Sequence, residues 1–196
     1  MAVRLGIDAS QHTASCAVSI GLKIIARMTV DKPVENLTSL IQSTLLKSHV
    51  ALHELDEIVV CIGPGSNLGS RTAVVTGNAL SLALDIPISS VISTDALSAF
   101  SPYLGIQNIA VPAGRGRWYI AKYACVKDKI TRVKMPELVD QLPIGTDDLH
   151  TFTPDDYKEG FNCAEGVLKI AEQQRHLLSQ VLLREVKTFE QGATNV

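Results

Sequence analysis

Residues 56–63 read Asp-Glu-Ile-Val-Val-Cys-Ile-Gly, an unbroken apolar stretch between two acids and a glycine. Without polar alternation, such a run fits a strand covered on both faces, as in the middle of a parallel or mixed sheet. The segment that follows, Gly63-Pro64-Gly65-Ser66-Asn67-Leu68-Gly69-Ser70-Arg71, is a glycine-rich turn. A largely apolar helix then runs to about Leu84, and Pro87 is expected to stop it. A buried strand, a glycine turn and a helix in that order make an α/β chain.

The neighbouring segments extend this pattern. Residues 3–8, 14–20 and 22–30 read as three strands of a meander, with a polar loop at 9–13 and a tight turn at Gly21. A helix follows, with Pro33 in its first turn and Val34, Leu37, Leu40, Ile41 and Leu45 at helical spacing. After Pro87 come a short strand and a short helix over 94–100. In the second half, residues 107–112, 117–126 and 129–134 read as strands and 136–160 as loop. A helix is expected over 165–185, with Val167, Ile170, Leu177, Leu178 and Val181 apolar, and then a frayed tail, Gln-Gly-Ala-Thr-Asn-Val. A boundary near 101–105 divides an N-terminal lobe, 1–103, from a smaller C-terminal lobe, 104–196, with a terminal helix.

Charge narrows the function. The net charge is −2, so the chain as a whole lacks the basic excess of a protein that grips nucleic acid by itself. Its four cysteines form no C-x-x-C pair, which fits a reducing compartment. Residues 1–4 lead straight into a strand with no apolar leader, and the helix near 73–84 is too short and polar to span a bilayer. A cytoplasmic protein without a membrane segment is expected.

Four features can carry chemistry. A glycine turn before a helix points amides at one place, so Gly63, Pro64, Gly65 and Ser66 either hold an anion or form a rigid turn. The loop lacks the lysine ending of a P-loop and is not G-x-G-x-x-G. Asp8, at the end of the first strand, either orients a hydrated metal near a nucleotide or accepts amides of its own turn. His49 and His53 have a spacing that can bind a metal on a helix, or are simply cations near a helix end. Gly114-Arg115-Gly116-Arg117-Trp118-Tyr119 reads as a hairpin turn or as a local RNA contact. No catalytic residue, metal site or cofactor is assigned.

The second helix carries Ala73, Gly77 and Ser81 at spacing four, a strip of small side chains that admits another helix closely. With Leu37, Ile41 and Leu45 of the first helix, this strip is the expected partner interface, the alternative being a wholly internal helix.

Taken together, LGIDASQHTASCAVSIG, EIVVCIGPGSNLGSRTAVVTGNALSLALDIPISSVISTDALSAF and PAGRGRWYIAKY resemble the TsaB (YeaZ) family over about residues 3–125. The resemblance implies a two-lobed actin-like and Hsc70-like (ribonuclease H-like) fold with mixed sheets and a reduced second lobe. It implies a non-catalytic subunit that binds a TsaD-like enzyme, with a TsaE-like ATPase in the larger assembly. That assembly forms N6-threonylcarbamoyladenosine at position 37 of tRNAs reading ANN codons, so tRNA is expected to be met only through the complex. The chain alone is expected to be a homodimer. Departures from the family pattern fall at Asn67, Leu68, Ser70, Pro112, Gly114 and Arg117, and the alternatives are a small-molecule kinase or ATPase of the same superfamily or a diverged inactive paralogue.

Overall fold

The meander forms as read: β1 (Val3–Asp8), β2 (Thr13–Ile20) and β3 (Lys23–Asp31) pair antiparallel. In this computed structural model, residues 1–31, 33–126, 129–142, 151–154 and 162–175 are described. β4 (Glu57–Cys61) lies parallel to β1, with Leu5 opposite Ile58 and Ile7 opposite Val60. β5 (Ile88–Val91) lies parallel to β4, giving a five-stranded mixed sheet in the order β3-β2-β1-β4-β5. Every residue of β4 is buried, as its unbroken apolar run requires.

Strand alternation splits that burial between two layers. Leu5, Ile7, Ile58 and Val60 pack with Leu37, Leu40, Ile41 and Leu45 of α1 (Pro33–Ser48) and with α2 (Asn67–Leu84). Ala17, Val59 and Cys61 face the other way, onto Ala164, Val167 and Leu168 of α4 (Cys163–Arg175). Helix α2 ends before Pro87 acts: Asp85 takes the left-handed conformation (φ 53°), and its amide closes on the Ser81 carbonyl.

A second sheet has the order β8-β7-β6-β9, from β6 (Gly105–Gly114), β7 (Arg117–Val126), β8 (Lys129–Val139) and β9 (Thr151–Phe152). The first three are antiparallel neighbours, and β9 runs parallel to β6. Residues 136–139, expected as loop, are strand. Pro136 sits on the outermost strand, where its missing amide costs little. Between the sheets lies α3 (Ser93–Ser98), wholly buried.

Two mixed layers of this kind are the actin-like α/β arrangement that the resemblance implies. The division at 103/104 follows the two sheets, but α4, from the second segment, covers the first. Asn162 fastens it there: its Nδ2 donates to the Met28 carbonyl (2.8 Å) and its Oδ1 accepts from the Glu165 amide (3.0 Å). The loop expected over 143–150 and 155–160, the helix positions Leu177, Leu178 and Val181, and the tail lie outside the described residues. Among the described residues no helix is long and apolar enough to cross a membrane.

Candidate functional site

The glycine loop and the β1–β2 loop meet where two backbones cross. Gly65 lies at φ 154°, and a Cβ there would stand 2.2 Å from the Ser10 carbonyl oxygen. A Cβ on Gly69 would stand 1.9 Å from that of Ala9. Neither contact is possible for a side-chain-bearing residue without backbone movement. The Ser66 amide donates to the Ser10 carbonyl (2.7 Å), the Gly69 amide to Ser66 Oγ (3.2 Å) and the Ser70 amide to the Ser66 carbonyl (2.8 Å). On the far side, the Ser93 amide donates to the Gly63 carbonyl (2.8 Å) and the Ser93 hydroxyl to that of Pro64. These amides and the space above the two glycines are therefore taken by the chain itself. Gly63, Pro64, Gly65 and Ser66 are held against the loop that follows Asp8 as a backbone clamp, fastened by the Ser66–Ser10 and Ser93–Gly63 hydrogen bonds.

Asp8 is 1% exposed. Its Oδ1 accepts from both the Ser10 amide (3.1 Å) and the Ser10 hydroxyl (2.6 Å), the geometry of an Asx turn. Its Oδ2 meets no hydrogen-bond partner of good geometry, and the near groups are the thiols of Cys61 and Cys163. Cys163 opens α4, whose N-terminal dipole favours a carboxylate. Burial pushes the Cys61 thiol up, and the neighbouring Asp8 charge pushes the same way. The hydrogen bond with Cys61, then burial and Asp8, pushes Cys163 well above the ordinary thiol range. Cys16 is raised by burial and by Asp8. These thiols stay protonated at neutral pH and are not nucleophiles. Among the described residues no three His, Cys, Asp or Glu side chains surround a common metal position. The histidine pair does not share a helix: α1 ends at Ser48, His49 is left-handed (φ 56°), and His53 lies in a separate 3-10 turn, Leu52–Glu54.

The expected interface residues are inside the molecule. Leu37, Ile41, Leu45, Ala73, Gly77 and Ser81 are all buried within the chain. The strip exists, but it faces β4 and β5: a Cβ on Gly77 would lie 2.4 Å from Val60 Cγ2 and 3.2 Å from Ile88 Cδ1. Small residues here let the helix approach its own sheet, because branched side chains on the strands fill the intervening space. What α2 turns outward is different. Leu68, Val75 and Leu82, seven residues apart, are 65%, 67% and 85% exposed. Seven residues is nearly two helical turns, so the three form one apolar line along the helix. The small residues at every fourth position and this apolar line lie on the same helix, and both periods are legible in the sequence.

Sequence reasoning also missed a buried polar network between the lobes. Tyr123 donates to Asp95 Oδ1 (2.5 Å) and lies 2.8 Å from Thr94 Oγ1, while Arg132 Nη1 meets Asp95 Oδ2 at 2.7 Å. Burial pushes the Asp95 carboxyl up, and Tyr123 and Arg132 pull it back. Burial and Asp95 hold the Tyr123 phenol well above its usual range, so it remains a donor. Nothing marks Asp95 in the sequence, where it is one acid in a run of small residues.

The comparisons with known proteins agree with this architecture. A family model described as TsaD, tRNA N6-adenosine threonylcarbamoyltransferase, matches residues 24–142, more than half of the chain. The chain is 33% identical over 123 residues to the tRNA threonylcarbamoyladenosine biosynthesis protein TsaB of Bacillus subtilis, covering 61% of this chain and 54% of that protein. It is 34% identical over 134 residues to an uncharacterized protein of Mycobacterium leprae, covering 63% of this chain and 36% of the other. It thus spans about half or less of the length of these curated relatives. Among solved structures, YeaZ from Pseudomonas aeruginosa superposes with a TM-score of 0.74 at 16% identity, over 90% of this chain and 93% of that one. A protein described as similar to peptidase YeaZ from Pseudomonas aeruginosa reaches 0.79 at 17% identity, over 96% and 98%. At such identities the structures speak for the fold, and the family model speaks for descent: the chain belongs to the family that this model describes and, within it, to the TsaB/YeaZ group.

Proposed function

We propose that this chain is a non-catalytic subunit that docks onto a TsaD-like enzyme and is required for N6-threonylcarbamoyladenosine formation at position 37 of tRNAs reading ANN codons. The observation that carries the docking role is the exposed line Leu68, Val75 and Leu82 on α2. Large apolar side chains aligned on one helix are buried in a partner at modest cost, since both sides lose apolar surface to water. The same line serves a homodimer when the chain is alone, with a TsaE-like ATPase joining the larger assembly in the cytoplasm. The kinase alternative is disfavoured by the glycine loop, whose Ser66, Gly69 and Ser70 amides already donate within the chain. ATP turnover by the isolated chain would restore it.

Two experiments test the proposal. Deletion of the gene, read by mass spectrometry of tRNA nucleosides, is expected to abolish threonylcarbamoyladenosine, and an unchanged level overturns the pathway. The double variant V75E/L82E is expected to sediment as a monomer and to bind a TsaD-like protein at least about 100-fold more weakly, because two charges would be buried in the interface. Its circular dichroism should match the parent, since both side chains are largely exposed. A variant that pairs as tightly as the parent removes α2 from the interface.

A further inference from the structure

The overall charge hides a strong asymmetry. Residues 105–139 hold seven Lys and Arg against two acids, a net of +5, while the remainder of the chain carries −7. This stretch contains the three antiparallel strands of the second sheet, β6, β7 and β8. On β7, Tyr119, Ala121, Tyr123 and Cys125 face the core, so Trp118 and Lys122 stand on the opposite face. There Lys122 is directly paired with Lys134 of β8. Like charges opposite one another repel, and the sheet keeps them without a carboxylate between the strands at that position. Lys134 does meet Glu137 (2.7 Å), but both are more than half exposed and such a pair holds little.

Among the described residues no ion pair is made by Arg115, Arg117, Lys122 or Lys129. Arg132 is different, since it turns inward to Asp95. The β6–β7 turn projects freely: Cβ atoms on Gly114 and Gly116 would meet nothing within 4 Å, and Arg115 between them is exposed. From Trp118 to Lys122 the strand runs about 13 Å, and Lys129, opposite Val126, extends the line at the far end of the hairpin. A row of uncompensated cations with one half-buried indole at its end matches an RNA backbone with an unpaired base stacked on the ring.

We propose that this face of the second sheet, through Trp118, Lys122, Lys129 and Lys134 with Arg115 on the adjoining turn, is a tRNA-backbone contact that the chain makes directly. The choice of tRNA as the polyanion rests on the proposed role in tRNA modification, and it revises the expectation that tRNA is met only through the complex. An acidic protein segment would use the charges but leave the indole without a partner of its own kind.

The test is fluorescence anisotropy of labelled, unmodified tRNA with the full chain at two salt concentrations. Binding is expected to weaken steeply with salt. K122E/K134E is expected to bind at least about tenfold more weakly and to flatten the logarithmic salt slope by about two, one for each lost phosphate contact. W118A should lose about tenfold and W118F should recover most of it. K23E, a charge reversal on an exposed residue of the other sheet, should bind like the parent. Circular dichroism of each variant separates lost binding from lost fold. No binding of tRNA at low salt, equal weakening by K23E, or equally tight binding of a polyglutamate peptide overturns the proposal. Normal threonylcarbamoyladenosine in the deletion strain with intact tRNA binding would instead overturn the pathway and leave this surface standing.

Discussion

Gly77→Leu is expected to unfold the chain. The first added atom already lies 2.4 Å from Val60 Cγ2, and three further carbons would have to enter between α2 and the parallel strands β4 and β5. Val60 is fully buried and Ile88 is 1% exposed, so neither can swing outward. Overpacking by a single methylene group costs about 1–3 kcal/mol, and here a whole side chain has no room, so a loss above about 4 kcal/mol is expected. That is a large share of the stability of an ordinary domain. Urea titration followed by circular dichroism measures it. A variant with an unchanged midpoint that had merely lost its oligomer would return the small-residue strip to the interface. Gly77→Ala provides the milder form of the test: helix propensity favours it by about 1 kcal/mol, and the contact with Val60 should still make it a net loss.

Asp95→Ala is the second large effect. Asp95 is 6% exposed and Tyr123 is 1% exposed, and the pair joins α3 to β7 while Arg132 reaches in from β8. Removing the carboxylate leaves the buried phenol with Thr94 as its remaining partner and the guanidinium without its counter-ion. Arg132 is a third exposed and can re-enter water, so the cost falls near the lower end for a broken buried pair, about 3 kcal/mol. For a chain of this size that lowers Tm by about 6–12 °C. Tyr123→Phe should cost about 1.5 kcal/mol. The double variant should be less destabilised than the sum of the two, because both remove the same hydrogen bond. Strict additivity in thermal melts would show that the network is not a coupled unit.

How much of this was legible beforehand depends on the kind of signal. β1 and β7 were readable to the residue because alternation and an apolar run are local properties of a strand. The glycine loop was also readable as a turn, but not its closure, since closure depends on Ser10 and Ala9 arriving from a segment more than fifty residues earlier. A strip of small residues says only that something comes close. Whether that something is another chain or the protein's own Val60 and Ile88 is decided by the branched side chains on β4 and β5. β8 was cut short at Pro136 because an edge position, where proline is harmless, cannot be recognised before the strand order is known. The basic hairpin was visible as a local contact but outweighed by a net charge averaged over the whole chain.

The position of α4 has a consequence for how the molecule is made. The ribosome delivers β1, β2 and β4 long before residues 163–175, yet Ala17, Val59 and Cys61 have their covering layer only in that helix. The nascent chain therefore carries one finished face and one bare apolar face until α4 is made. At elongation rates of about 5–20 residues per second, roughly five to twenty seconds separate the two events. Throughout that interval the half-built sheet is a natural client for chaperones that shield exposed apolar strands. The first sheet is thus completed by a helix made well after its own strands.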